Sequence, residues 1–147
     1  QKESDLIFYD GKPYELTTYY ENGQKESKVN YYDGKIDGLT TNWYENGQKK
    51  SEINYKEGKI YGFLNGWFEN GNVKRIEYWS EDDLEYFTHW YENGKKKSEH
   101  QTDSNGKIER IIYWHENGQK ERVDNFENEE LILQECWDED GNDIECD

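Results

Sequence analysis

One five-residue segment recurs six times along this chain: Tyr19-Tyr20-Glu21-Asn22-Gly23, Trp43-Tyr44-Glu45-Asn46-Gly47, Trp67-Phe68-Glu69-Asn70-Gly71, Trp90-Tyr91-Glu92-Asn93-Gly94, Trp114-His115-Glu116-Asn117-Gly118 and Trp137-Asp138-Glu139-Asp140-Gly141. The glycines Gly23, Gly47, Gly71, Gly94, Gly118 and Gly141 are 24, 24, 23, 24 and 23 residues apart. Self-similarity at a fixed period is the mark of a repeat architecture. Asn-Gly and Asp-Gly supply the paired positive φ angles of a two-residue hairpin turn, so each segment is expected to close a hairpin. A second turn falls midway through each period, at Asp10-Gly11-Lys12, Asp33-Gly34-Lys35, Glu57-Gly58-Lys59 and Asn105-Gly106-Lys107, with degenerate forms at Glu81-Asp82-Asp83 and Asn128-Glu129-Glu130. A reversal about every 12 residues leaves strands of about six, the usual length. The expected fold is all-β: an elongated single-layer antiparallel meander of tandem hairpins, about 55 Å long at about 4.8 Å per strand. Residues 1–7 form a lead-in, residues 8–147 carry about six copies, and the last copy is a C-terminal cap.

Alternation along the strands assigns the faces. Leu39, Thr41 and Trp43 share one side, against Thr40, Asn42 and Tyr44 on the other. One face then collects Trp43, Trp67, Trp90, Trp114 and Trp137, with Tyr44, Phe68, Tyr91 and His115 opposite. Rings on adjacent rungs stack at roughly 0.5–1.5 kcal/mol a pair, so cohesion passes from repeat to repeat and not through one central core. Val29 and Ile53 lie six positions after their turn glycine, whereas Ile76 and Val123 lie five after theirs. The 23-residue periods therefore place the missing residue inside that strand, with a bulge in the long copies or its absence in the short ones.

Composition agrees with a thin sheet. Only 31% of residues are apolar, while 6 Trp, 13 Tyr and 5 Phe bury area with their polar edges in water. The net charge of −16 argues against phosphate-backbone binding and against anionic membranes. It favours a basic protein as partner, or serves only to keep an aromatic-rich sheet soluble. No apolar run has the length of a membrane span. The chain opens Gln1-Lys2-Glu3 without an initiator Met, which a removed leader or a trimmed start explains; with the two cysteines this points towards export.

Cys136 and Cys146 flank the last turn and are candidates for a disulfide that staples the sheet end. A two-residue Asp140-Gly141 loop would set Cys136 opposite Glu145 and turn Cys146 to the other face, so pairing requires a longer loop or a bulge. Asp138-Glu139-Asp140-Gly141-Asn142-Asp143 has the oxygen density of a calcium loop but occupies a repeat turn, and the turn reading is preferred. His89, His100 and His115 show no convergence with other ligands, so no catalytic, cofactor or metal site is assigned. Lys25, Lys49, Lys74, Lys96 and Lys120 recur after the turns, where cross-strand charge pairing is expected. Tyr44, Phe68, Tyr91 and His115 are the candidate partner surface, because aromatic rows anchor interfaces. An open meander also offers its edge strands for homodimerisation.

The Trp-Tyr-Glu-Asn-Gly segments, with Tyr31-Tyr32-Asp33-Gly34-Lys35-Ile36-Asp37-Gly38 and Tyr55-Lys56-Glu57-Gly58-Lys59-Ile60-Tyr61-Gly62, resemble the MORN repeat in the bacterial variant found in YwqK-type antitoxin proteins. The resemblance spans roughly residues 8–144. It departs where Tyr86, Arg110 and Leu133 replace the second glycine, Gly38 and Gly62 in the clearest copies, which bears on close backbone packing there. The resemblance implies a single-layer sheet used for binding or as a spacer, without catalysis, and an antitoxin or immunity role against a partner protein. The alternative is an exported structural or cell-surface repeat protein.

Overall fold

The computed structural model describes residues 3–80, 83–103 and 106–146; the expected turn residues Glu81, Asp82 and Asn105 and the chain ends Gln1, Lys2 and Asp147 lie outside that set. The described residues form strands and turns with no helix. The chain divides into two compact units, Gln1–Leu84 and Glu85–Asp147. The first carries β1 (Ser4–Tyr9), β2 (Lys12–Tyr19), β3 (Lys25–Tyr32), β4 (Lys35–Ile36), β5 (Gly38–Trp43), β6 (Lys49–Lys56), β7 (Lys59–Trp67) and β8 (Val73–Ser80). The second takes most of β9 (Asp83–Trp90), then β10 (Lys96–Thr102), β11 (Ile108–Trp114), β12 (Lys120–Glu127), β13 (Glu130–Trp137) and β14 (Asp143–Ile144). Within each unit the strands follow chain order and pair antiparallel, β4 lying on β3 just before β5 takes over. This is the all-β, single-layer meander expected from the period.

The two-residue geometry expected of the recurring Asn-Gly turns is corrected: it is found at midway turns instead. Four of the midway turns are two-residue turns: Asp10 and Gly11, Asp33 and Gly34, Glu57 and Gly58, and Asn128 and Glu129 all have positive φ. The recurring Asn-Gly turns are one residue longer. Tyr20 N–H donates to the Gln24 carbonyl at 2.8 Å and Gly23 N–H to the Tyr20 carbonyl at 2.9 Å, enclosing Glu21-Asn22-Gly23. Only the glycine is left-handed, at 84° to 91° across the six copies, which is a three-residue loop ending in a glycine bulge. Asn22 keeps an ordinary φ because its Oδ1 accepts the Gln24 N–H at 2.9 Å, a local bond that holds the turn.

The variable period is settled at the midway turn and not after the repeat turn. Past the first five repeat turns the register is the same in long and short copies: Tyr19 faces Lys25 and Thr18 faces Ser27, just as Trp67 faces Val73 and Gly66 faces Arg75. The expected deletion inside that strand is therefore corrected. Between Gly47 and Gly71 the pairing moves from Ile53↔Leu64 to Tyr55↔Ile60, leaving Tyr61 and Gly62 as a two-residue bulge beside a two-residue turn. Between Gly118 and Gly141 it moves from Asn125↔Leu133 to Phe126↔Leu131, a one-residue bulge beside a two-residue turn, and the period is one shorter. Between Gly94 and Gly118 a one-residue bulge is offset by a longer turn that Asp103 and Lys107 close at 2.8 Å. Gly38 and Gly62 hold φ of 89° and 80° inside the two-residue bulges, and a Cβ at Gly62 would meet nothing within 4 Å. The second glycine thus serves backbone conformation and not close packing; where Arg110 and Leu133 replace it, the bulge shrinks by a residue.

Burial lies at mid-strand on both faces and is mostly small and polar: Thr17, Thr40, Thr41, Ser51, Thr88 and Ser98 are buried beside the aliphatic Leu64, Ile112 and Val123. Two substitutions check the backbone account by urea unfolding midpoints. Gly62→Ala forces a side chain into a left-handed bulge and is expected to cost about 1–2 kcal/mol. Glu129→Gly relieves φ of 70° at a non-glycine position and is expected to stabilise by about 0.5–1 kcal/mol.

Candidate functional site

Within each unit a repeat turn docks on the next through the residues that define the repeat. Tyr20 Oη donates to the Trp43 carbonyl at 2.7 Å, and Tyr44 Oη to the Trp67 carbonyl at 2.8 Å. In the second unit Tyr91 Oη reaches the Trp114 carbonyl at 2.7 Å. His115 takes the same place, Nε2 lying 2.9 Å from the Trp137 carbonyl, an acceptor that puts the proton on that nitrogen. Beside each ring the asparagine amide adds a second bond: Asn22 to the Glu45 carbonyl at 2.9 Å, Asn46 to Glu69 at 3.1 Å, Asn93 to Glu116 at 3.0 Å and Asn117 to Glu139 at 2.6 Å. The glycine completes the seat, since a Cβ at Gly71 would lie 2.7 Å from Gln48 Oε1. Partial burial in these seats pushes the Tyr20 and Tyr91 phenols above their ordinary range.

Lysines cover the rings. Lys25, Lys96 and Lys120 hold Nζ 5.7–5.9 Å from the centroids of Trp43, Trp114 and Trp137. Lys50, Lys74 and Lys97 lie 5.5–5.6 Å over Tyr44, Phe68 and Tyr91. The cross-strand charge pairing expected of the lysine row is corrected: Lys49 pairs with Glu52, at 2.5 Å, and Lys96 with Glu99 along their own strands. The structure therefore places Tyr44, Phe68, Tyr91 and His115 half-buried at the repeat turns, three of them bonded to the following turn and three of them under a lysine. At the midway turns Lys12 pairs with Asp33, Lys35 with Glu57 at 3.7 Å and Lys107 with Glu129 at 3.9 Å. These pairs are exposed and contribute little.

Cys136 and Cys146 are joined by a disulfide, with Cα atoms 5.5 Å apart. The last turn makes this feasible because its three-residue loop is not followed by the register shift of the other repeat turns: Cys136 faces Ile144 and not Glu145, so Cys146, two residues on, returns to the same side. In the loop Asp138 accepts the Asp140 and Asn142 N–H groups at 3.0 and 2.8 Å and the Asn142 amide at 2.9 Å, bonds that hold its carboxyl below the usual range. Those oxygens bind the turn itself. The histidines sit in separate surroundings: His89 Nδ1 is 3.4 Å from Ser98 Oγ, His115 is in its turn seat, and His100 is 3% exposed between Tyr86 and Phe87.

The strongest exposed surface was not singled out by the repeat pattern. From Val123 to Asp147 there are eleven Asp and Glu and no Lys or Arg, so this stretch carries −11 of the chain's −16. Leu131, Ile132, Leu133 and Ile144 are 49%, 59%, 53% and 51% exposed there. The signal was available as a local departure from the repeat: an aliphatic run without lysine where four other copies have a glycine followed by a lysine.

Two measurements test this geometry. Tyr44→Phe removes one inter-turn bond and is expected to cost about 0.5–1.5 kcal/mol in urea unfolding, with Tyr91→Phe similar. Burial lowers the His100 pKa against an opposing effect of the Glu85 backbone. Its contribution is full above the unfolded value, near 6.5, and is lost as pH falls below it, because the unfolded chain then binds the proton more readily. Thermal melts from about pH 8 to about pH 5 should show this loss, and His100→Phe should flatten it.

No curated protein matches the chain. The profile of the MORN repeat variant family matches at residues 15–33, 36–57 and 86–103, so three stretches of the chain carry that repeat.

Proposed function

We propose that this chain is a non-enzymatic protein-binding repeat whose last copy docks a basic partner protein, with an antitoxin or immunity component as the specific reading. The observation that carries the proposal is the terminal copy: a stretch of −11 with no lysine or arginine of its own, only Glu129 and Asp124 of its carboxylates being paired with the neighbouring Lys107 and Arg122 in the described ion pairs, carries the exposed Leu131, Ile132 and Leu133. Apolar side chains in an anionic field suit a partner that presents aliphatic groups among lysines and arginines, the charges raising encounter rate and the apolar contacts holding the complex. The MORN-variant segments support binding over catalysis, since such repeats serve as protein- or membrane-binding modules. The same charge disfavours nucleic acid and anionic lipid as partners. Tyr44, Phe68, Tyr91 and His115 act in this reading mainly as the rigid backing of the surface. No helix is long and apolar enough to cross a membrane among the described residues.

The disulfide favours a second reading, an exported structural or cell-surface repeat, because such bonds persist in oxidising compartments. Affinity capture from the native cell, followed by mass spectrometry, separates the two. The wild-type chain should retain a basic protein at low salt and release it at about 0.5 M NaCl. Leu131→Lys with Glu130→Lys should abolish that retention with the fold intact by circular dichroism. Retention of the same proteins by wild type and variant would refute docking at the last copy.

A further inference from the structure

β1 has a neighbour on one side only: it pairs with β2, and no strand among the described residues lies on its outer side. Tyr19 N–H donates to the Glu3 carbonyl at 3.1 Å, opposite it in the antiparallel register. By alternation Glu3, Asp5 and Ile7 turn their backbone groups towards β2, and Ser4, Leu6 and Phe8 turn theirs outward. Edge strands normally carry lysine, proline or a very short length to prevent pairing. Ser4–Tyr9 has none of these, and its Leu6, Ile7, Phe8 and Tyr9 are 46%, 50%, 57% and 76% exposed. The outer strand of the second unit is guarded instead: β14, held by the Cys136–Cys146 disulfide, covers the end of β13, and Glu127, Glu129 and Glu130 flank the remainder.

We infer that β1 is a homodimerisation strand, pairing antiparallel with β1 of a second copy about a two-fold axis at Ile7. The sequence is self-complementary in that register. Ile7 faces Ile7 of the second copy, Leu6 faces Phe8, Asp5 faces Tyr9 and Ser4 faces Asp10, so no acid opposes an acid. Leu6 and Phe8, whose backbone groups point outward, form the hydrogen-bonded pairs, and Ile7 the close pair without hydrogen bonds. A basic foreign segment would gain less here than at the last copy, because Glu15 opposite Ile7 is already paired with Lys28 at 2.7 Å and Lys12 stands opposite Tyr9, whereas the stretch that carries Leu131–Leu133 has no lysine or arginine of its own. The interface obeys the closed symmetry of an isologous dimer and exhausts the open strand, which stops growth into fibres.

Sedimentation velocity on the whole chain from roughly 1 to 200 µM tests the inference. A monomer–dimer equilibrium is expected. Its association should strengthen at least several-fold between about 0.05 and 0.5 M NaCl, because salt screens two copies that each carry −16; a basic partner would respond in the opposite sense. Ile7→Lys sets two cations face to face on the axis and should leave only monomer, with circular dichroism unchanged because Ile7 is exposed. In an antiparallel pair without hydrogen bonds the facing Cα atoms lie about 4.5 Å apart, within disulfide range. Ile7→Cys should therefore cross-link on mild oxidation, while Ile132→Cys on β13 should not. Monomer at every concentration and salt would overturn the inference. So would a dimer that survives Ile7→Lys, or cross-linking at Ile132 equal to that at Ile7.

Discussion

The turn-to-turn seat carries this architecture. In each junction described, a tyrosine hydroxyl or histidine nitrogen and an asparagine amide donate to two main-chain carbonyls of the next turn, at 2.6–3.1 Å. A one-layer sheet has no second layer to bury its apolar face, and the aliphatic core is correspondingly small: Leu64, Ile112 and Val123. Hydrogen bonds between neighbours, with lysines over the rings, supply in each junction what a common core supplies elsewhere. The recurring Glu-Asn-Gly is constrained at each position by this seat. The asparagine bonds its own turn with Oδ1 and the next with Nδ2, and the glycine is left-handed in all six copies and faced by a side chain of the preceding turn at Gly47, Gly71, Gly118 and Gly141.

The two edges of the repeat behave differently because their turns differ. On the Asn-Gly side the first five turns share one geometry and register, as docking on a neighbour requires, and the disulfide-closed last turn departs by dropping the register shift. On the midway side the Gly58 N–H donates to the Ile36 carbonyl at 2.7 Å and the Glu57 N–H to Asp37 Oδ2 at 3.0 Å, but the side-chain contacts are exposed ion pairs such as Lys35–Glu57, which tolerate variation. The variation is found there: turn and bulge lengths trade against each other, and the period moves between 24 and 23 without disturbing the register of the Asn-Gly side. Gly38 and Gly62 belong to this variable side, which is why their replacement by Arg110 and Leu133 is accommodated by a smaller bulge.

The spacing of six glycines made the fold class, the strand length and the antiparallel order legible in the sequence. The turn types were not, because Asn-Gly serves both a two-residue turn and a three-residue turn with a glycine bulge, and dipeptide identity does not separate them. The aromatic after each tryptophan reads as an exposed interface residue when strand alternation alone is applied. It becomes a junction residue once the turn has closed, because its position then depends on a repeat about 23 residues away. Periodicity also draws attention to what recurs, whereas the surface proposed for binding is built from what does not: the lysine-free, aliphatic last copy.

Native-state hydrogen exchange on Asn46→Ala tests the central claim, that cohesion passes between neighbouring turns. The account predicts that amides at Tyr44 and Gly47 and at the docked turn of Phe68 and Gly71 lose protection together, while the midway amides at Glu57 and Gly58 keep theirs. Loss spread evenly over the first unit, or confined to the altered turn alone, would contradict it.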